Sequence, residues 1–396
     1  MKLENITPGP AGRIDFDAFL DVDPAAGRVR VRREALTDPA IFDLEMRHIF
    51  EGGWIYLAHE SQLPERFDFY TDWMGRQPVI VYRNGEGAID VFLNACPHRG
   101  TTLCRTRQGK RKGFACTYHG WAFDDQGQLV FVPRRDEGYP ADFDMAAHGL
   151  VRAARVEHYG GFIFASLNPQ VVHRRAADAA KEHGGGVEMV NLDKANDPQN
   201  VGAIYGMGNG NTLIQSDIPN PAARPSYVHH AQYAARYGND RARWMTSKLR
   251  QICVYPNLFI IDQLASLIRH VRPLGVDRTE VSYFCIAPVG EAREQRIKRM
   301  RQFMDFFSVA GLGGPDDNRE FEQCQVGAQA RAAGWNDASF GMQSAIHGQD
   351  DETRAVGVHP RHGGQFGYEG NCLEQYQQWV HLLSAGQDRD LAAASG

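Results

Sequence analysis

Two short segments in the first third of the chain each combine one cysteine and one histidine in a tight loop pattern. The first, Cys96–Gly100, reads Cys-Pro-His-Arg-Gly, and the second, Cys116–Trp121, reads Cys-Thr-Tyr-His-Gly-Trp. Proline and glycine at these places favour the sharply turned backbone that such loops need. The four ligand side chains constrain the fold strongly, because two loops that share a metal centre must face each other.

Two thiolates and two neutral imidazoles suit a Rieske [2Fe–2S] cluster, in which Cys96 and Cys116 hold one iron and His98 and His119 hold the other. The imidazoles lower the negative charge and raise the reduction potential. Loop amides that donate to the sulfurs tune that potential further. A structural zinc site is the alternative, but zinc fingers commonly pair Cys with Cys and His with His. Each loop here mixes the two residue types, which favours the cluster.

On these residues the chain resembles the large (alpha) subunits of Rieske non-haem iron ring-hydroxylating oxygenases, within them the benzoate, toluate and anthranilate dioxygenases. The resemblance extends through most of the chain, because further stretches occur in the order typical of the family: Gly53–Glu60, Cys253–Leu258, Arg272–Leu274 and Pro315–Asp317. The two loops are highly specific for Rieske domains, whereas the later stretches are less specific singly.

Length and composition are those of a globular protein with two domains. The chain has 396 residues, 43% hydrophobic and 23% charged, and a net charge of −5, which indicates no nucleic-acid-binding surface. It contains no apolar run long enough for a membrane span, and the N-terminus lacks the apolar region of a signal peptide. The seven scattered cysteines do not suggest a disulfide framework, so a cytoplasmic location is expected.

The predicted fold class is α+β. Residues 1–49 form an N-terminal segment that packs on the catalytic domain, and its first 36 residues are expected to be largely irregular. Short apolar strands separated by turns predict a Rieske β-sandwich domain at 50–168. Residues 169–396 form the catalytic domain, for which the resemblance implies a helix-grip-like arrangement, an antiparallel sheet covered by helices.

The resemblance also implies a mononuclear Fe(II) held by two histidines and one carboxylate, with open positions beside them. His173 matches the second histidine and Asp317 matches the carboxylate; without the resemblance, a solvated histidine and a first-turn carboxylate would be the simpler interpretations. Asp316 fits the carboxylate role almost as well. No His-x-x-x-x-His pair occurs after Asn168. The first histidine ligand is therefore not present in this sequence.

A segment near 169–171 is apparently missing from the catalytic domain. It would carry the first histidine and an acidic residue that, in the family, bridges the cluster of one subunit to the iron of its neighbour. Three explanations are open. The preferred one is that the molecule contains the segment although the printed sequence does not, because the rest of the chain looks intact. The others are a natural deletion and the replacement of the ligands by other histidines.

The resemblance implies a terminal oxygenase that cis-dihydroxylates a benzoate-like aromatic carboxylate. It would use O₂ and electrons from NADH, delivered by a reductase and possibly a ferredoxin. A small beta subunit and a trimer or α3β3 assembly are implied as well. The alternative is a Rieske electron-transfer or catalytically silent assembly subunit without the mononuclear iron. No further catalytic residue is identified, and Arg250, Arg269 and Arg272 are unranked candidates for pairing with the substrate carboxylate.

Two further features have simpler interpretations. The basic linker Thr101–Lys112 is expected to be a solvated loop, although it could help to dock an acidic electron-donor protein. His359 and His362 lie beside Pro360 and Gly363, which predicts a solvated loop there as well.

Overall fold

The structure is a computed structural model that describes residues 13–171, 202–263, 265–308, 311 and 313–394, without the side chain of Asp316. The chain folds into two compact units, one formed by Met1–Leu44 with Arg174–Gly396 and the other by Glu45–His173. Within the described ranges, no helix has the length and apolar character needed to cross a membrane.

The N-terminal residues form an antiparallel hairpin of β1 (Leu20–Asp23) and β2 (Arg28–Arg32). Strand β2 also pairs with residues Trp335–Asp337 of the same unit. Its valines are buried while its arginines are partly exposed, and two of these arginines lie over the Trp335 ring. The expectation of an irregular segment was therefore wrong for this stretch, because its Arg-Val alternation is the period-2 pattern of a half-buried strand.

The unit Glu45–His173 begins at the end of helix α1 (Pro39–Glu45) and contains three antiparallel sheets, with strand orders β11-β12-β3, β6-β5-β4-β7 and β10-β9-β8. The strands are β3 (Ile55–His59), β4 (Asp68–Met74), β5 (Gln77–Arg83), β6 (Ile89–Leu93), β7 (Gln108–Lys110), β8 (Phe114–Ala115), β9 (Ala122–Phe123), β10 (Leu129–Phe131), β11 (Arg155–Tyr159) and β12 (Phe162–Ser166). One short helix, α2 (Arg135–Gly138), follows β10.

Strand β5 separates two hydrophobic clusters in this unit. Ile80 and Tyr82 contribute to one cluster, and Val79 and Val81 contribute to the other, because successive side chains of a strand point to opposite faces. The first cluster also contains the two cysteines of the paired loops. The cysteines are therefore anchored in the core of this unit, although they lie on loops.

The other unit is built on an eight-stranded antiparallel sheet with the order β18-β17-β16-β15-β14-β13-β21-β20. Its strands are β13 (Gly202–Gly208), β14 (Asn211–Asp217), β15 (Lys248–Val254), β16 (Leu258–Asp262), β17 (Ser266–Gly275), β18 (Arg278–Cys285), β20 (Ile346–His347) and β21 (His362–Gln365), and β19 (Trp335–Asp337) is the partner of β2. The described helices are α3 (His230–Tyr237), α4 (Asn239–Thr246), α5 (Arg293–Phe307), α6 (Gly314–Ala328), α7 (Asp351–Val356) and α8 (Gly370–Ala394).

Helix α5 covers one end of this sheet with aromatic side chains. Phe307 packs into a cluster with Leu249 and Leu267, and Phe303 and Phe306 pack against the same cluster. The antiparallel sheet covered by helices is thus present as predicted, and the α+β class is confirmed. In contrast, the prediction of a solvated loop at His362 was wrong. This residue lies in β21 and its side chain is 15% exposed, with Nε2 at 3.1 Å from Oε2 of Glu374.

Candidate active site: paired ligand loops and a predicted iron ligand

The two ligand loops share one backbone design. The first follows β6, and the second lies between β8 and β9. In each loop the glycine N–H donates to the cysteine carbonyl, from Gly100 to Cys96 at 2.8 Å and from Gly120 to Cys116 at 2.9 Å. Both glycines have φ of +74°, a left-handed conformation that favours glycine over other residues. The sequence pattern thus produces two equivalent turns, each presenting one cysteine and one histidine.

The two cysteine thiols lie close enough to hydrogen-bond to each other, and both side chains are buried. Burial raises the pKa of Cys96 above its ordinary value, whereas the backbone amides of His98 and Arg99 donate to its sulfur and lower that pKa. The neighbouring Cys116 raises it again. Two adjacent buried thiols with amide donors are what a pair of metal-bound thiolates needs, because the ligands bind deprotonated and the amides stabilise their charge.

The two histidine rings lie beside each other, with centroids 4.7 Å apart and an interplanar angle of 73°. Burial lowers the pKa of His98, and the charges of His119 and Arg99 lower it further. This favours the neutral imidazole that can act as a ligand. Nδ1 of His119 is buried and has no hydrogen-bond partner among the described residues. A buried nitrogen without a partner is costly unless it binds something, so the donor set fits a [2Fe–2S] cluster.

Aromatic side chains orient the two imidazoles. The ring of His98 is stacked on Trp121 at 4.9 Å with an interplanar angle of 9°, and Trp121 is only 3% exposed. Tyr118 lies against His119, with ring centroids 3.8 Å apart, and the guanidinium of Arg99 lies over the Tyr118 ring. The sequence assigned no role to Trp121, although it directly follows the His119-Gly120 pair. Because the Trp121 ring is anchored in the core, it limits the rotation of the His98 imidazole.

Asn94 is a second residue that sequence reasoning missed. Its buried side chain accepts hydrogen bonds from the backbone N–H groups of Leu103 and Cys104 at 2.9 and 3.0 Å. Its amide group donates to the carbonyl of Cys104 at 2.7 Å. Asn94 therefore ties the start of the first loop to the segment that follows it. A lone asparagine after a strand gives no sequence signal for this bridge.

The basic linker is exposed from Arg105 to Lys112, whereas Leu103 and Cys104 belong to the buried core. Several of its charges rest on the surface of the same unit. Arg107 donates to the hydroxyl of Tyr70 at 2.7 Å, and Lys110 forms an ion pair with Glu65. Arg111 and Lys112 lie over the rings of phenylalanines at 5.9 Å each. The solvated-loop interpretation holds for the exposed charges but was wrong for Gln108–Lys110, which form β7 and pair with β4. The docking of an acidic electron donor stays a prediction.

Of the two predicted iron ligands, His173 lies outside the described residues. Asp317 lies in the first turn of α6, its side chain is 51% exposed, and its Oδ2 is 3.6 Å from Nη2 of Arg269. In the described part of the chain, no group of three or more His, Cys, Asp and Glu side chains forms a site for a single metal ion. The assignment of both residues to the iron therefore stays a prediction.

Comparison with protein families identifies both parts of the chain. Residues 53–152 match the Rieske [2Fe-2S] domain, and residues 170–383 match the catalytic domain of the ring-hydroxylating alpha subunit. Together the two matches imply a Rieske cluster and a mononuclear iron, the two cofactors that were predicted.

Three relatives match nearly the whole chain. The toluate 1,2-dioxygenase subunit alpha of Pseudomonas putida is 36% identical, covering 94% of this chain and 96% of the relative. The 2-halobenzoate 1,2-dioxygenase large subunit of Burkholderia cepacia is 35% identical, with coverage of 92% and 91%. The anthranilate 1,2-dioxygenase large subunit of Acinetobacter baylyi is 34% identical, with 93% of both covered.

The alignment with the toluate enzyme is longer than this chain. It spans 439 positions against 396 residues, so at least 43 positions hold residues of the relative without a counterpart here. A missing iron-site segment would produce such a difference. The absence of that segment and its location near 169–171 both stay predictions.

The fold is also that of solved oxygenases. A structure of naphthalene 1,2-dioxygenase with indole in the active site superposes with a TM-score of 0.78 at 21% identity, covering 90% of this chain and 92% of the other. The two family matches, the three full-length relatives and the shared fold lead to one conclusion: this chain belongs to the family of aromatic ring-hydroxylating dioxygenase alpha subunits.

Proposed function

We propose that this chain is the terminal oxygenase subunit of an enzyme that cis-dihydroxylates a benzoate-like aromatic carboxylate with O₂. The observation that carries the proposal is the chemistry of its full-length relatives, because toluate, 2-halobenzoate and anthranilate are all aromatic rings with a carboxylate. Electrons come from NADH through a reductase, with or without a ferredoxin, and the protein works in the cytoplasm.

Cys96 and Cys116 supply the thiolates of the cluster, and His98 and His119 supply its imidazoles. The cluster, when bound, relays electrons singly. The chain contributes the environment: burial in a hydrophobic core, amides directed at the Cys96 sulfur, and a stacked Trp121 that orients His98. Burial and the amides act on the reduction potential, since solvent exclusion and hydrogen bonds to sulfur are levers on that quantity.

Asp317 and His173 are two of the three ligands of the mononuclear iron, which supplies O₂ activation when bound. The third ligand belongs to the segment that we propose is missing near 169–171. The same segment carries the acid that connects neighbouring subunits, so the complete enzyme is a trimer or an α3β3 assembly with a small beta subunit.

A second candidate function is favoured by one observation, the absence of the His-x-x-x-x-His pair after Asn168. A polypeptide without that pair would hold only the cluster. It would then act as an electron-transfer or assembly subunit without oxygenase chemistry.

The experiment that separates the two functions is a metal count on anaerobically purified protein. About three irons and two acid-labile sulfides per chain are expected for the oxygenase, together with an intact mass above the 44.3 kDa of the printed sequence. A mass equal to 44.3 kDa, about two irons per chain and no uptake of added ferrous iron would refute the oxygenase function. The product of benzoate turnover with NADH and the reductase tests the substrate class.

A further inference from the structure

An oxygenase for an aromatic carboxylate needs a cation near its iron, because a buried carboxylate without a partner is costly. We propose that Arg269 binds the substrate carboxylate and that it becomes available when Asp317 binds the iron. This inference rests on the proposed function. It selects one of the three arginines that sequence patterns left unranked.

Arg250 is already committed to a structural ion pair. Its side chain is 0% exposed, and Nη2 pairs with Oδ2 of Asp262. Asp262 also binds Arg224, at 2.9 Å from its Nη2. A substrate that took over Arg250 would leave the buried Asp262 with a reduced set of partners, at a high free-energy cost.

Arg272 lies on the wrong face of the sheet. It is three residues after Arg269 on β17, and side chains an odd number of positions apart point to opposite faces of a strand. The pairing of β17 with β18 is regular through this stretch, with Arg269 opposite Tyr283 and Arg272 opposite Glu280. Arg272 is therefore directed away from the face that carries Arg269.

Arg269 lies on the face of β17 that α5 covers, together with Leu267 two residues earlier. Its guanidinium carbon is 5.0 Å from the ring centroid of Tyr283 and 5.8 Å from that of Phe307. The side chain keeps 17% exposure, and Nε is buried with no hydrogen-bond partner among the described residues. A cation flanked by two aromatic rings, with an unused donor and partial access, suits an aromatic carboxylate. The apolar rings also reduce the screening of the charge by water.

Asp317 is the acid that Arg269 meets here, and the contact is loose. The atoms are 3.6 Å apart and the aspartate side chain is 51% exposed, so the pair is an ion pair beyond normal hydrogen-bond length. As a ligand of the proposed iron, Asp317 would share its charge with the metal, and the guanidinium of Arg269 would be free to bind a carboxylate bidentately. The exchange places the substrate carboxylate close to the residue that holds the iron.

The test measures the Kd of benzoate and of benzamide by anaerobic titration calorimetry on the assembled, iron-loaded enzyme. Arg269→Gln is expected to raise the Kd of benzoate by about 10- to 150-fold, because this loss of affinity corresponds to one charge-assisted hydrogen bond. The neutral benzamide should change by less than about threefold. Arg269→Lys keeps the charge without the planar fork, so an intermediate loss is expected. Arg278→Gln is the matched control, since Arg278 is exposed on the adjacent β18.

A second variant tests the exchange without iron. In iron-free protein, Asp317→Asn removes the competing carboxylate, so benzoate should bind about two- to fivefold more tightly than to iron-free wild type. The signal of the reduced cluster in electron paramagnetic resonance serves as the check of folding for every variant.

Equal benzoate affinity in wild type and Arg269→Gln would overturn the inference while leaving the proposed function in place. No tightening in iron-free Asp317→Asn would also contradict it. If the wild type binds no aromatic carboxylate but turns over a neutral arene, the proposed substrate class fails, and the inference fails with it.

Discussion

Replacing Asp262 by asparagine tests how strongly the catalytic sheet depends on a buried ion cluster. Asp262 closes β16, and its carboxylate meets Arg224 and Arg250, whose side chains are both 0% exposed. Ser266, at the start of β17, donates to the same carboxylate at 3.1 Å. Asparagine keeps the shape but removes the charge. Two guanidinium groups would then remain in the core without their counter-ion.

The expected loss follows from that geometry. Removal of one partner from a buried ion pair typically costs about 3–5 kcal/mol, because the remaining charge stays desolvated. For a unit of this size, each kcal/mol lowers the midpoint of thermal unfolding by about 2–4 °C. The midpoint should therefore fall by about 6–20 °C. The control is Asp305→Asn, which breaks a surface ion pair with Arg301 and should cost less than about 1 kcal/mol.

The assay is thermal unfolding followed by far-ultraviolet circular dichroism and by the visible absorbance of the cluster. Both signals are needed, because a chain with two units need not unfold in one transition. The double variant Asp262→Asn with Arg224→Met should recover part of the loss, since it removes one of the unpaired charges. An Asp262→Asn midpoint within about 2 °C of the wild type would refute the view that the buried ion cluster of Asp262, Arg224 and Arg250 is a main stabilising feature of the sheet.

Four further outcomes are expected. Burial raises the pKa of Asp262, but the two arginines lower it more, so this pKa lies below its ordinary value of 3.8. The ionised Asp262 carboxylate therefore contributes its full stability above pH 3.8. That stability is lost as the pH falls through the lowered pKa. Melting curves at decreasing pH should therefore show a steeper loss in wild type than in Asp262→Asn. Cys116→Ser should bring acid-labile sulfide close to zero per chain in a colorimetric assay. Trp121→Ala should cost about 3–5 kcal/mol of stability and shift the midpoint potential of the cluster in a redox titration, whereas Trp121→Phe should restore most of that potential. Asn94→Ala should cost about 1–3 kcal/mol and speed the loss of cluster absorbance on storage.

The family and the fold class could be predicted correctly from the sequence, because the motifs that indicate them lie within short segments of the chain. Two cysteines and two histidines in short Pro- and Gly-bearing loops form a local pattern, and local patterns depend on spacing alone. Apolar periodicity within 291–310 and a proline at the start of 315–333 likewise predict two helices from single segments, and α5 (Arg293–Phe307) and α6 (Gly314–Ala328) lie there.

The hairpin at β1 and β2 and the position of His362 were misjudged for the opposite reason. Strand β2 is completed by residues Trp335–Asp337, and His362 is held by β13 and by Glu374. Both partners are distant in the chain. A short polar strand next to glycine or proline resembles a loop until its partner is known.

By itself, the sequence determined the two ligand loops and the family, since both follow from motifs whose residues lie close together in the chain. Only the tertiary structure decided that Trp121 stacks on His98, that Asn94 bridges the first loop, and that Arg269 rather than Arg272 faces Asp317. These relations depend on strand register and on which face of a strand each side chain occupies. A register shift of one residue moves every side chain of the strand to the other face. The register is set by long-range packing, which spacing along the chain does not encode.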